Sequence, residues 1–514
     1  MKHLKTLFYG VSLLGAIAAL SPNVLAYTSN DQNNAINNFD DVFYSLNSSG
    51  QGYYLVDTNR GMPNSSYFWT IAEEMEMVED AYIRTRNPVY ESMIDQLYNG
   101  FVQINGTYWI ANGFNDDNMW MDIACLRAYQ ITGESQYYSQ AKWDFDNVYA
   151  RAEDSNLGGG LWWTTDKTSK NACVNGPAAI AAVLLYQSGA GSQYLTDAQS
   201  IFAWEKNTLY QSSGEVIDHI TAAGVLTGGA LTYNQGTFIG AADLIDVANG
   251  NKTDDWDAQV ATSYTEYNCT GQNAPGILWN EYAPGQGSVS GAGFKGIFAR
   301  WCGRWMLDSG NFQFLSWMQS NAQTVLNYEN SSGISWGIWG LQTPTPTSSS
   351  PLTAWECSDA VAVLQDIPPF TPITNGTYTL TPANATGSKL DAAASGTSNG
   401  TKVDIWSTNG GGNQSWIFTN TGGNWYKIQP SYDTGLCLDV YGANNANGTI
   451  VDLWQDNGSS SQRWLITPVS GGYTLTPQCA PGLCLDVYDA LNANGTQVDI
   501  WPGNGGSNQT WNIK

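Results

Sequence analysis

Histidine is almost missing from this chain: of 514 residues only His3 and His219 are histidine. The eight cysteines, at 125, 173, 269, 302, 357, 437, 479 and 484, form no Cys-x-x-Cys spacing. A zinc site or a histidine-based nucleophilic triad is therefore not expected. No metal and no cofactor is called for. Positive charge is also scarce, with 20 Lys and Arg against 45 Asp and Glu and a net charge of −25. Such a balance argues against nucleic acid or an anionic membrane as partner. Long apolar runs are missing everywhere except near the start. There, Lys2, His3 and Lys5 precede an apolar stretch over about 7–20 and a small-residue site ending at Ala26. That pattern reads as a secretory signal peptide, 1–26, and is too short for a membrane anchor. The final residues, QTWNIK, carry no lipid-anchor signal. A free, secreted, extracellular protein, monomeric and not membrane-bound, is expected.

What is abundant is aromatic and small: 22 Trp, 28 Tyr and 54 Gly. A plain core needs neither that many indoles nor that many glycines. Aromatic-rich, charge-poor secreted chains often handle sugars, because the apolar face of a pyranose stacks on a flat ring. Outside the cell disulfides are expected; Cys479 and Cys484 bracket a Pro-Gly turn and could close it. Asn47, Asn105 and Asn251 begin sequons that permit glycosylation in a eukaryotic host.

The last third repeats itself three times. LDAAASGTSNGTKVDIWSTNGGGNQSW, LDVYGANNANGTIVDLWQDNGSSSQRW and LDVYDALNANGTQVDIWPGNGGSNQTW align without a gap, at a period of 47–48 residues. Short alternating runs such as TKVDIW, flanked by Asn-Gly, predict strands and hairpin turns. Three units, none able to bury its own apolar face, should close about a pseudo-threefold axis. Residues 374–514 resemble the ricin-B-type β-trefoil, carbohydrate-binding module family 13. The Gln-x-Trp closing each repeat (Gln414/Trp416, Gln462/Trp464, Gln509/Trp511) carries that resemblance. Those tryptophans are expected in the core and the Asn-Gly-Thr in turns. The resemblance implies sugar contacts at Asp391, Trp406 and Asn413, at Asp439 and Trp454, and at Asp486, Trp501 and Asn508. The second site is expected to be weakest, because Ser461 stands where the others have Asn. The family's usual disulfide within each repeat is not evident.

Residues 27–367 are patterned differently. Amphipathic helical segments recur between Gly-rich breaks, at 33–46, 68–86, 88–103, 117–131, 135–152, 177–188, 192–210, 234–249, 254–268, 291–308, 311–328 and 352–366. These twelve helices predict an all-α (α/α)6 toroid followed by an all-β trefoil. QTPTPTSSSP at 342–351 has the look of a linker, yet an amphipathic helix that the toroid needs comes after it. The boundary is placed instead at 368–373, where prolines stop that helix.

NGFNDDNMWMD, from Asn112 to Asp122, sets Asp116 and Asp117 side by side ahead of a helix. An Asp before a helix is commonly just a cap, and a second favours the helix dipole. The neighbourhood points further. The preceding TYWIANGFN is too rich in Gly and Asn to be helix, Trp109 and Trp120 flank the pair, and GGGLWW at 158–163 could add an aromatic wall. Partly desolvated carboxyls close together have their pKa values driven apart, as a glycosidase requires. Retaining glycosidases hold their carboxyls roughly 5–5.5 Å apart. Neighbouring residues in a non-helical turn, with Cα atoms about 3.8 Å apart, can reach that.

NDDNMWMDIACLRAYQITG, GGGLWW with KNACVNGPAAIAAVLL, and LTYNQGTFIGAADLI together resemble glycoside hydrolase family 76, the endo-α-1,6-mannanases, across nearly all of 27–367. The resemblance implies an (α/α)6 fold and a retaining mechanism, with Asp116 as nucleophile and Asp117 as acid/base. Trp120, Trp162, Trp163, Tyr233, Asn234 and Gln235 are candidate substrate contacts. Asp122 is read as a cap or support, and Asp218 with His219 as loop residues. The function expected is a secreted endo-α-1,6-mannanase held on α-mannan by its lectin domain. Alternatives are a cell-wall transglycosidase or an inactive carbohydrate-binding protein.

Overall fold

The computed structural model describes residues 27–281, 290–369, 373–421, 425–469 and 471–514. The signal-peptide reading and the middle of the expected linker lie outside the described residues.

Twelve α-helices fill the first part of the described chain: α1 (Ser29–Phe43), α2 (Phe68–Thr85), α3 (Pro88–Asn105), α4 (Asn115–Thr132), α5 (Ser135–Ala152), α6 (Ala172–Gln187), α7 (Ser192–Thr208), α8 (Thr232–Asn249), α9 (Asp255–Asn268), α10 (Phe294–Ser309), α11 (Leu315–Asn327) and α12 (Ala354–Asp366). Each even-numbered helix packs on the next even one, and α12 packs back on α2, so six helices close an inner ring. The odd-numbered helices lie outside it, each against an inner neighbour. The two sets differ in sequence for that reason. Outer α3 buries one stripe, Tyr90, Met93, Ile94, Leu97, Tyr98 and Phe101, at the spacing of one helical face. Inner α6 is buried from Ala172 to Leu185 and shows no polar face.

Glycine lets the inner helices approach. On α8, Gly236 and Gly240 face α10. A Cβ on Gly236 would stand 2.7 Å from the Phe298 Cα, and one on Gly240 2.6 Å from the Trp301 ring. Gly100, Gly176, Gly296 and Gly303 make similarly close helix packing, while many of the other glycines sit in turns and caps at positive φ.

Three helix starts depart from expectation by four residues or more; that of α11, at Leu315, comes four residues late. α1 begins early because Thr28 and Asp31 form a reciprocal capping box. α6 begins five residues before Pro177, which sits inside the helix. Pro177 has no N–H, so the Cys173 carbonyl loses its helical donor; the packing of a fully buried helix overrides that cost.

The ring interior carries charge. Arg127 of α4 pairs with Glu76 at 2.6 Å and with Asp80, and Arg300 of α10 pairs with Glu73 at 2.6 Å and Asp80 at 2.8 Å. All five side chains are buried. Such pairs break roughly even on stability but are costly to split, and here they tie α2, α4 and α10 in one register. The 342–351 stretch belongs to the helical part: Thr58 N–H donates to Leu352 O at 2.9 Å and Asp57 bridges Thr353.

In the trefoil, seven strands, three of them only three residues long, form a sheet in which Trp416–Asn420 pairs with Trp425–Pro430, and Trp464–Val469 with Gly472–Pro477. Three hairpins cap it. Ser388–Ala392 pairs with Thr401–Ser407, Leu436–Val440 with Thr449–Gln455, and Leu483–Val487 with Thr496–Pro502. The second strands of the three hairpins pair with one another about the pseudo-threefold axis. Trp416, Trp464 and Trp511 are fully buried, and each indole N–H donates to the carbonyl of Leu390, Leu438 or Leu485. The trefoil sits against the C-terminal ends of the inner helices: Trp425 Nε1 donates to Ile83 O at 3.4 Å, and the Arg86 guanidinium lies 5.4 Å over the Trp425 ring.

The expected disulfides are not formed. All eight cysteines are unpaired thiols. Those of the helical part are spread over α4, α6, α10, α12 and the end of α9 as small buried side chains. Cys484 faces Thr476 Oγ1 at 3.7 Å rather than Cys479.

Candidate active site

All six inner helices start at the same end of the ring, opposite the trefoil. Their first turns bring together Trp69 of α2, Asp116 and Asp117 of α4, Cys173 of α6, Tyr233 of α8, Phe294 of α10 and Trp355 of α12. The aromatic members form a continuous floor. Trp69 contacts Trp120, Phe294 and Trp355 at centroid distances of 6.4, 6.1 and 4.7 Å. Tyr233 stacks on Phe294 at 3.8 Å and on Trp120 at 6.3 Å.

Asp116 and Asp117 lie in the first turn of α4, not in the non-helical turn expected. The helix has no side-chain cap. Instead the Gly-Trp loop caps it: the Asn115 N–H donates to Trp163 O at 2.8 Å, and the Asn115 carboxamide donates to Trp162 O at 2.7 Å. Arg151 then holds Asn115 Oδ1 at 2.7 Å. One Asp116 oxygen accepts from Trp163 Nε1 at 2.9 Å and from the Cys173 thiol at 3.5 Å, while its Oδ1 is sealed from water without a partner. Asp117 accepts from the Asn112 carboxamide at 2.8 Å.

Burial pushes both carboxyls up, Asp116 to about 8 with the Asp117 charge adding to it, and Asp117 to about 6. Burial wins over the hydrogen bonds and over the helix dipole, both of which favour the anions. At neutral pH the pair therefore carries one proton, and the two groups titrate as a unit.

The loop carrying Trp163 is fixed by a buried lysine. Lys170 Nζ reaches the backbone oxygens of Asp154, Asn156, Gly159 and Gly160 at 3.1, 2.9, 2.7 and 2.8 Å, and Asp154 Oδ1 at 3.0 Å. Gly160 is required there: its φ is +74°, and a Cβ would stand 2.3 Å from the Trp204 ring. Trp162 is buried, gives its N–H to Asp154 at 2.8 Å and stacks under Lys170. It supports the loop and is not an open sugar platform. Trp163 stays partly exposed.

Three other candidates are likewise closed off. Trp120 is buried beneath Trp69 and Tyr233. Gln235 is fully buried, and its carboxamide binds Gly214 O, Ala261 O and the Val216 N–H away from the cleft. Asn234, also buried, donates to Asp218 at 3.0 Å. Tyr233 keeps partial exposure. Asp122 is no cap. It lies fully buried with both oxygens unpaired, and burial beside Asp144 keeps it protonated.

The fold brings Asp218 and His219 beside the start of α6. Strand Ser169–Asn171 pairs with His219–Thr221, which sets His219 opposite Asn171, the residue before α6. Asp218 faces His219 Nδ1 at 2.7 Å and, through its backbone, accepts from the Ala172 N–H at 2.9 Å. Its charge is felt at Cys173 and Tyr233, which also feel Asp116. The only signal available was that His219 is the one histidine beyond the leader-like start.

In the trefoil, Asp391, Asp439 and Asp486 are buried. Asp391 accepts from Asn413 at 2.7 Å, Asp486 from Asn508 at 2.7 Å and Asp439 from Ser461 at 2.9 Å. Ser461 thus takes over the holding role of asparagine. Trp406, Trp454 and Trp501 are 44, 38 and 44% exposed. Trp406 and Trp501 lie beside Gly495 and Gly448 of a neighbouring repeat.

Residues 27–357 match the family model described as glycosyl hydrolase family 76. Residues 369–454, 431–501 and 460–514 match a ricin-type beta-trefoil lectin domain-like model. Among solved structures, the α-1,6-mannanase GH76A of Salegentibacter sp. HEL1_6 is 29% identical, the match covering 66% of this chain and 98% of that one at a TM-score of 0.57. An inactive variant of that enzyme, with two consecutive aspartates replaced by asparagine and α-1,6-mannotriose bound, matches at 28% identity, 66 and 98% coverage and the same TM-score. A family 76 mannosidase of Bacteroides thetaiotaomicron shares the fold at 16% identity, 66 and 96% coverage and a TM-score of 0.56. No curated protein matches. By its helical part, which spans more than half of its length, the chain belongs to glycosyl hydrolase family 76.

Proposed function

We propose that the protein is a secreted, retaining endo-α-1,6-mannanase that cleaves within α-1,6-linked mannan, with the trefoil holding it on the polysaccharide. The observation that carries this reading is the Asp116–Asp117 pair, two adjacent carboxyls braced by Trp163, Cys173 and Asn112 beside an aromatic floor at the open end of the ring. The inactive relative that lacks two consecutive aspartates and holds α-1,6-mannotriose supports the same assignment.

Asp116 is the nucleophile. Two donors, the Trp163 N–H and the Cys173 thiol, brace one of its oxygens, and a cationic anomeric carbon placed against it favours its ionised form. A bound sugar also covers Asp117 and strips it of water, which moves the shared proton there. Asp117 gives that proton to the glycosidic oxygen as the C1–O bond breaks and an ester forms between C1 and Asp116. Asp117, now a carboxylate, takes a proton from water. The water oxygen bonds to C1, the ester breaks, and Asp116 returns to its carboxylate form. Two inversions leave the product with α configuration. Trp163 and Tyr233 are the partly open rings that contact sugar, and Asp218 with His219 lines the same cleft. Asp391, Asp439 and Asp486, each beside an exposed tryptophan, form the trefoil's glycan sites.

The test is product analysis by NMR on linear α-1,6-mannan with the parent and Asp116→Asn. The parent should release short α-configured manno-oligosaccharides and the variant essentially none. A parent that leaves the polymer intact, or first releases β-anomers, overturns the reading.

A further inference from the structure

Helix α9 turns a whole face away from the ring. Ala258, Ala261, Thr262 and Thr265 face inward and are buried. On the opposite side Trp256 is 67% and Tyr267 78% exposed. Between them Gln259, Ser263 and Glu266 recur at helical spacing, so all five residues lie on one stripe. With Gln313 beside it, the stripe bounds a groove of about 450 Å³. At 1.5 Å rise per residue the two exposed rings are about 16 Å apart along the helix.

The groove points at the cleft. α8 starts at the catalytic end, where Tyr233 is its second residue, and α9 runs back beside it. Tyr267 is therefore at the rim end of the groove and Trp256 at the far end. The segment after α9 returns to the cleft wall, where Glu281 accepts the Thr232 N–H at 2.8 Å.

The lining fits an uncharged, hydroxyl-rich chain. Two strongly exposed rings flank the groove at its two ends, and flat rings stack on pyranose faces. Gln259 is already oriented, since its Oε1 accepts from Asn311 at 2.9 Å, which leaves its NH2 free to donate. Gln313 and Ser263 add donors and acceptors. Among the described residues no cationic side chain lines the groove and Glu266 is its one acid, and the chain as a whole carries −25; anionic polymers are repelled.

We propose that this groove is a second glycan-binding site on the helical domain, taking a stretch of neutral linear polysaccharide about 16 Å long and leading the strand toward the catalytic rim. That the polysaccharide is α-mannan rests on the function proposed above. Binding at two places on one strand raises the effective concentration of substrate at the cleft, so the groove acts on polymer and not on short oligomers.

The experiment compares the full chain with Trp256→Ala/Tyr267→Ala, and separately with Gln259→Ala/Gln313→Ala, by affinity electrophoresis in linear α-1,6-mannan and by kinetics on polymer and on mannotetraose. Loss of exposed aromatic anchors should weaken retardation and raise polymer KM by roughly fivefold or more. Kinetics on mannotetraose and Tm should stay unchanged. Unchanged retardation and polymer KM in both variants overturns the groove, as does a variant that changes only sedimentation, which would make α9 a self-association face. Cleavage of mannotetraose by the parent reports on the catalytic reading by itself: if it fails while retardation still falls in the variants, the groove stands and the mannanase reading does not.

Discussion

Replacing Trp163 with phenylalanine isolates the hydrogen bond that braces the proposed nucleophile. The substitution keeps a ring against Phe114 but removes the N–H that lies 2.9 Å from Asp116. A hydrogen bond to a charged group is worth about 1.5–3 kcal/mol, and one pKa unit corresponds to about 1.4 kcal/mol. Loss of the bond should thus lift the ionisation of Asp116 by about one to two units. In the free site Asp117 ionises first, near 6, and Asp116 second, near 8. The profile of kcat/KM against pH should be a bell with limbs near those values, because the singly protonated pair is the active form. In Trp163→Phe the alkaline limb should move up while the acid limb stays near 6. The plateau should drop about 10- to 100-fold, since the variant must pay the same 1.5–3 kcal/mol to ionise Asp116 in the transition state. Initial rates on mannotetraose between pH 4 and 10 give all three quantities. A plateau within threefold of the parent with neither limb displaced would refute the claim that this indole stabilises the Asp116 anion. A displaced acid limb with a fixed alkaline one would reverse the order of ionisation.

The roles of the two aspartates separate by rescue with azide. Asp116→Gly should regain activity on an activated α-mannoside and give the β-mannosyl azide, whereas Asp117→Ala should give the α-azide; the opposite stereochemistry exchanges the roles. Lys170→Met strands four carbonyls and the Asp154 carboxylate in and beside a buried loop. Urea unfolding should show a loss of about 3–5 kcal/mol, and a loss under 1 kcal/mol would mean that the loop holds without it. Stability should fall as pH rises. Asp40, Asp144 and Glu356 are pushed up by burial to about 7, above their unfolded values near 4. The native state therefore binds more protons between about 4 and 7, so this stabilisation is complete below 4 and lost through 7. The urea midpoint should be lower at pH 8 than at pH 5; an equal or higher midpoint at pH 8 contradicts it.

The outer helices and the trefoil were legible because their periods are simple. Tyr90 to Phe101 in α3 repeats every three to four residues, and Asp391, Asp439 and Asp486 recur with one fixed offset to a tryptophan. Among the inner helices α6 was the hardest to bound. α6 has no polar face to set its register, and Pro177 reads as a start although packing carries the helix five residues further back. The aspartate pair was legible as a motif, but its setting was not. The sequence shows Asp116 and Trp163 47 positions apart, and nothing local says that the loop carbonyls cap α4 and so deliver the indole N–H to the carboxyl. Lys170 is invisible for the same reason, since a lone lysine in TSKNAC reads as solvent-facing. Trp162 and Trp163 look equivalent in GGGLWW, yet successive residues of an extended segment point to opposite sides, and Lys170 lies on one side while Asp116 lies on the other. One ring was therefore bound to be structural and its neighbour to face the cleft. Which was which depended on the buried lysine, a contact made only once the strand Ser169–Asn171 folds back beside the loop, where the Ser169 carbonyl accepts the Trp163 N–H at 2.9 Å.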